Sequence, residues 1–144
     1  MTSSVFPDVN VWLAMSLITH QHHEAARAWY DRLPSETDLV FSRLTQLGLL
    51  RLLTTVGAAG EETMTQRQAW AVYDTWINQG GAVYQEEPFG LEREFRSLSD
   101  RAEASPKDWG DSYLVAFAAS TSMPLITFDR ALGGRYARSV LLKG

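Results

Sequence analysis

Short apolar runs alternate with longer amphipathic stretches along the whole 144-residue chain, and that order constrains the fold more than any other feature. Residues 3–8, "LVFS" at 39–42, "AVYQ" at 82–85, "PLITF" at 124–128 and "SVLL" at 139–142 read as strands. Helical patterns separate them, at about 9–18, 21–33, 43–56 and 66–79. Another is marked by Phe89, Leu91, Phe95, Leu98 and Ala102, and another starts between 106 and 110 and runs to about 121. A short helix or turn follows Asp129. Thr65 with Gln68 makes a capping box at the start of the fourth helix, Gly57 and Gly60 break the third, and Gly80-Gly81 ends the fourth. Strands alternating with helices predict an α/β sandwich with a mostly parallel sheet, in one domain spanning 1–144.

In such sheets ligands bind beyond the carboxyl ends of the strands. Asp8 follows the first strand, where Pro7 suits a last position because it donates nothing to the ladder. Asp129 follows "PLITF" in the same way. Each aspartate also reads as the N-cap of the next helix. Asp111 differs: Leu114, Val115 and Ala118 lie three, four and seven residues beyond it, so the carboxylate prolongs a core-facing stripe. A buried charge must be paired, protonated or bound to a metal. A helix-start role is the alternative, with Asp108 as N-cap, or Ser105 as N-cap and Pro106 at the first helical position. Three converging carboxylates suit Mg2+ or Mn2+, hard cations that clamp phosphate oxygens and activate water.

Composition narrows the classes. Hydrophobic residues make up 45% of the chain, enough for an ordinary core, and the absence of cysteine excludes disulfides, cysteine–zinc sites and a thiol nucleophile. "MTSSVFPDVN" has no basic region and no long apolar stretch, so no export signal is expected, and no apolar run reaches the length of a membrane helix. A cytoplasmic protein is expected. The net charge of −4 argues against general nucleic-acid binding, yet Arg130, Arg135, Arg138 and Lys143 follow residue 129 with no acid among them. That tail reads as a solvated surface or as a phosphate-facing edge beside an acidic pocket.

"FPDVNVWLA", "RLTQLGLLRLLT", "WGDSYLVAFA" and "LITFDR", with "HHEAARAW" between the first two, together resemble a PIN domain, and more narrowly the VapC-type ribonuclease toxins of type II toxin–antitoxin pairs. The resemblance runs from about residue 5 to 130. It implies a PIN-like three-layer sandwich whose acidic pocket binds Mg2+ or Mn2+ and cuts RNA phosphodiester bonds. It implies Asp8, Asp111 and Asp129 as catalytic metal ligands, with Asp129 acting through a metal-bound water. Asn10 and Thr127 would orient carboxylates. Gln46 stands where the family commonly has Glu, which removes a charge and weakens a second metal site; it would bind a metal water or RNA. Arg43, Lys107 and Arg130 are candidates for RNA phosphates. The implied partner is a VapB-type antitoxin that docks a helix in a groove and can push an Arg into the pocket, in a homodimer or a toxin–antitoxin hetero-oligomer.

Other features carry blander readings. Asp108 reads as a cap in preference to an outer carboxylate. His20, His22 and His23 lack metal-ligand spacing and read as capping and surface residues. Glu87 is a candidate to supply the charge Gln46 lacks, and Trp109 to stack a base; the tryptophans otherwise read as core or interface. "PDVNV" faintly resembles a haloacid-dehalogenase nucleophile loop, but Asn10 replaces the second acid. A catalytically inactive PIN-like domain that only binds RNA or a partner is the remaining alternative.

Overall fold

The computed structural model describes residues 3–144. Five parallel strands, β1 (Ser3–Pro7), β2 (Thr37–Phe41), β3 (Ala82–Tyr84), β4 (Leu125–Thr127) and β5 (Ser139–Leu141), form one sheet in the order β3-β2-β1-β4-β5. The sheet is parallel throughout. Connecting it are α1 (Val9–Ser16), α2 (His23–Asp31), α3 (Arg43–Leu53), α4 (Val56–Ala59), α5 (Gln66–Gln79), α6 (Leu91–Ser99), α7 (Asp108–Thr121) and α8 (Arg130–Gly133).

Strand periodicity sorts the core into two layers. Val5, Leu39 and Phe41 face one side, where α1, α2, α3 and α5 supply Trp12, Ala26, Leu49, Tyr73 and Trp76. Phe6 and Val40 face the other, against Leu91, Leu114, Phe117 and Leu132 from α6, α7 and α8. Covered on both faces, β1 and β2 read as continuous apolar runs, as parallel strands do. Ring stacking fixes each layer: Trp12 lies on Phe41 with centroids 3.8 Å apart, and Phe6 on Phe117 at 4.6 Å. Helices, sheet and helices make the expected three-layer α/β sandwich.

Most element positions match the expectations. The capping box between Thr65 and Gln68 is present, and Ser42 and Thr45 form a second one at the head of α3. Three boundaries differ. Gly57 does not break the chain but lies inside α4, and a 3-10 turn at Gly60–Glu62 follows, with Gly60 at a positive φ of 56°. Phe89 is fully exposed ahead of α6, and Ala102 lies beyond its end. Neither cap proposed for α7 forms: the residue before the helix is Lys107, whose side chain makes no cap bond.

Candidate active site

The strand order has one reversal. From β1 the chain steps outward to β2 and β3, then returns to β4 on the other side of β1. The crevice beyond the carboxyl ends of β1 and β4 is the switch point where open α/β sheets bind ligands. Asp8 leaves β1 there, and Thr127 and Asp129 leave β4.

Register brings these groups into contact. Pro7 pairs with Ile126, and the Asp8 amide donates to the Ile126 carbonyl at 2.9 Å, so Asp8 runs beside Thr127. The Thr127 hydroxyl donates to Asp8 Oδ2 at 2.5 Å and accepts from the Asp129 amide at 3.0 Å. Asp8 Oδ1 accepts from the Asn10 amide at 2.6 Å, which caps α1. Asp129 Oδ1 caps α8, accepting from Ala131 at 2.9 Å and Leu132 at 3.2 Å. Both carboxylates are therefore caps, and the cap and site readings do not compete, because a carboxylate has about four lone-pair positions. Thr127 orients Asp8 through its side chain. Asn10 does so only through its backbone, its side chain being exposed.

Electrostatics marks the same place. Asp8 is 4% exposed, and burial pushes its carboxyl above the ordinary range. Bonds from Thr127 and the Asn10 backbone oppose that shift, and the charge of Asp129 adds to it. Asp111, half-buried in the first turns of α7, is also raised; burial is the main cause, and Asp129 and Asp108 add to it against Lys107 and Arg135. Asp129 thus lies within electrostatic reach of both other acids. Among the described residues no cation pairs with Asp8 or Asp111, and Lys107 stands 3.9 Å from Asp129 Oδ2. No three acids or histidines among the described residues close into a ready-made cage. An open set of carboxylates is what Mg2+ accepts, since it keeps several waters and takes one or two protein carboxylates plus substrate phosphate. The residues fit a hydrated divalent ion.

The remaining candidates separate into two groups. Gln46, 7% exposed in α3, accepts at Oε1 from Arg43 Nη1 at 2.5 Å, and the Arg43 guanidinium lies 4.6 Å from the centre of the Tyr84 ring. Arg130 is exposed at the start of α8. Asp108 corrects its expected role. Its carboxylate is 7% exposed and caps nothing; it accepts from Arg135 at 2.8 Å and Ser112 at 2.8 Å, and Arg101 lies 3.2 Å away. Glu87 accepts from Tyr113 at 2.8 Å. His23 bonds the Ala14 carbonyl, His22 stacks on Phe128, and neither histidine caps α2 through its side chain. Trp109 is exposed beside Phe95. Sequence reasoning missed Arg135 and Tyr84. The Asp108–Ser112 spacing of four was a legible signal for a helix-face pair, but nothing local pointed to either long-range partner.

Glycine and apolar residues shape the approach. A Cβ on Gly48 would meet Val9 Cγ2 at 2.7 Å, so glycine lets α3 lie against the first turn of α1, directly behind Asp8. From Asn10 and Asp111 an apolar groove of about 830 Å3 runs past Leu47 and Gly48 to Trp70 on α5.

The PIN-domain family model matches residues 5–136. The chain belongs to the PIN-domain family. This PIN domain is 42% identical over 128 residues to Ribonuclease VapC41 of Mycobacterium tuberculosis, covering 86% of this chain and 88% of that relative. Its fold is similar to that of M. tuberculosis VapC20, a sarcin–ricin loop cleaving toxin, with TM-score 0.66, 17% identity and coverage of 91% and 94% of the two chains. It is also similar to a chain of Rickettsia felis VapBC2, solved bound to a DNA fragment from its promoter, with TM-score 0.68, 9% identity and coverage of 97% and 99%. A haloacid-dehalogenase reading is displaced by this membership.

Proposed function

We propose that this PIN domain, a single domain over 1–144, is a Mg2+- or Mn2+-dependent endoribonuclease toxin of the VapC type, restrained by a VapB-type antitoxin. One observation carries the reading: Asp8 is a buried carboxylate, braced by Thr127 and the head of α1, with Asp129 in electrostatic reach and no paired cation among the described residues. Leaving such a charge uncompensated costs several kcal/mol or more, so the arrangement suits a cation that arrives with the substrate. Asp8 and Asp111 would hold the ion, with Asp129 assisting from beside them. When bound, the ion supplies charge to the scissile phosphate and an acidified water. Thr127 keeps Asp8 facing the crevice, because its only proton is spent there. Lys107, Arg130 and Arg43 meet RNA phosphates, which positions the strand without reading its sequence.

The 42% identity to a ribonuclease over most of both chains supports RNA as substrate, and the VapBC2 neighbour supports an antitoxin partner. The apolar groove from Asp111 to Trp70 suits an amphipathic antitoxin helix. Such a helix would end beside the carboxylates, where an Arg side chain is electrostatically favoured. Exposed Leu47 and Trp70 then become covered, in a homodimer or toxin–antitoxin assembly. No described helix is long and apolar enough to cross a membrane, and a cytoplasmic site of action follows from the RNA target.

Cleavage of labelled tRNA and rRNA fragments in Mg2+, Mn2+ or EDTA tests the reading. Wild type is expected to cut only with the metals, and Asp8→Ala and Asp111→Ala not to cut. RNA retained but uncut by wild type in every condition would instead identify a binding domain.

A further inference from the structure

The carboxyl end of the sheet carries a cation as well as acids. Four strand exits stand side by side at a spacing of roughly 4.8 Å. Tyr84 ends β3, Arg43 and Gln46 follow β2, Asp8 follows β1, and Thr127 and Asp129 follow β4. On the β2–β3 side Arg43 is the cation, and Glu86 lies at the far end of the Tyr84 ring, accepting from its hydroxyl at 3.4 Å. Arg43 is exposed, yet two contacts orient it: the bond from Nη1 to Gln46 Oε1 at 2.5 Å, and the Tyr84 ring 4.6 Å below. Among the described residues no carboxylate pairs with it. A guanidinium has five donors, and one is used here, so the planar edge remains available to a phosphate.

The same bond decides what Gln46 can do. Its side chain is almost wholly enclosed, and its one amide oxygen is already given to a cation. A divalent ion on that oxygen would compete with the guanidinium for it and be repelled by the guanidinium charge. Gln46 therefore acts as a positioning residue for Arg43, not as a metal ligand.

We propose that Arg43, held by Gln46 and Tyr84, is the second cation of this centre: the acids take a single divalent ion, and the guanidinium binds the substrate phosphate on the β2 side. This rests on the nuclease reading above. It has a corollary for position 46. A glutamate there pairs with Arg43 and gains no metal.

Calorimetric titration of the metal-free protein with Mn2+, checked by electron paramagnetic resonance of the bound ion, counts the sites. Wild type, Gln46→Glu and Arg43→Met are each expected to bind one ion, and the double variant Arg43→Met/Gln46→Glu two. A second arm measures binding of a single-stranded RNA oligonucleotide in EDTA across a salt series. Arg43→Met is expected to weaken binding and to reduce the slope of log K against log salt by about 0.7, the share of one single-strand phosphate, and Arg43→Lys to restore most of it. Two ions in wild type or in Gln46→Glu alone would overturn the proposal, as would one ion in a folded double variant. If circular dichroism shows that the double variant does not fold, the salt slope decides, and an unchanged slope in Arg43→Met overturns it. Failure of the underlying nuclease reading looks different: wild type then takes up no Mn2+ and titrates like Asp8→Ala.

Discussion

Asp8 and Asp108 are buried to nearly the same degree, 4% and 7% exposed, and their surroundings are opposite. Asp108 is surrounded by cations: Arg135 and Arg101 approach Oδ1, and Ser112 donates to Oδ2. Arg135 also reaches the Leu98 carbonyl at 3.3 Å, so the cluster ties α6, α7 and the end of α8 together. Asp8 has a hydroxyl and an amide, and beyond them another acid. A carboxylate that the fold neutralises is there for the fold. A carboxylate that the fold orients and leaves without a counter-ion is there for something that comes from outside.

That contrast can be broken in a definite order. Asp8→Ala removes the uncompensated acid and is expected to lower RNA cleavage by about 10³-fold or more, several kcal/mol of transition-state charge stabilisation, while the melting temperature holds or rises. Melting curves beside single-turnover cleavage separate the two effects. Asp108→Ala should do the reverse. It strands Arg135 and Arg101, and the expected loss is about 2–3 kcal/mol of stability, below the fully buried range because both arginines reach solvent. Denaturant unfolding measures it, and any fall in cleavage should follow the folded fraction. An Asp108→Ala protein that keeps its stability but loses cleavage would erase the distinction between the two acids.

Smaller effects sharpen it. Thr127→Val leaves Asp8 with one bond fewer and the Asp129 amide without its acceptor. Cleavage should drop by about 10–100-fold, as for other groups that orient metal ligands, and Thr127→Ser should restore it. The last test is pH. The Asp8 carboxyl is raised in the folded protein, so its burial costs nothing below the ordinary carboxylate range and becomes a growing penalty as pH rises from there to the folded value. Metal-free wild type should therefore lose stability relative to Asp8→Asn between about pH 3.9 and neutrality, and saturating Mg2+ or Mn2+ should reverse the trend.

Sequence reasoning reached different parts of the molecule unequally. The apolar runs around Phe6, Val40 and Ile126 located the three central strands, because strands buried on both faces leave continuous signals. Strand ends then pointed to Asp8 and Asp129 through a rule of topology. Asp111 stood out against the buried face of its own helix. Asp108 was misread as a cap because its partner Arg135 lies 27 residues away and nothing local announces it. Gln46 was legible as a departure from the family, but not its consequence. Arg43 lies only three residues earlier on the same helix, whereas the ring that steadies it belongs to another strand. The segment at Gly57–Glu62 failed for a local reason, since two glycines resemble a plain break and here sit within short helical turns.

The Thr127–Asp8 bond spans 119 residues of chain. During synthesis β1, β2 and β3 emerge first and can pair, whereas the strand that braces Asp8 emerges after all three. Until then Asp8 has no hydroxyl to hold it and no Asp129 beside it. The distant closure is also the slow kind, since loop entropy is spent before any contact is made. The carboxylate that stands without a counter-ion is therefore among the last groups of the molecule to take its final place.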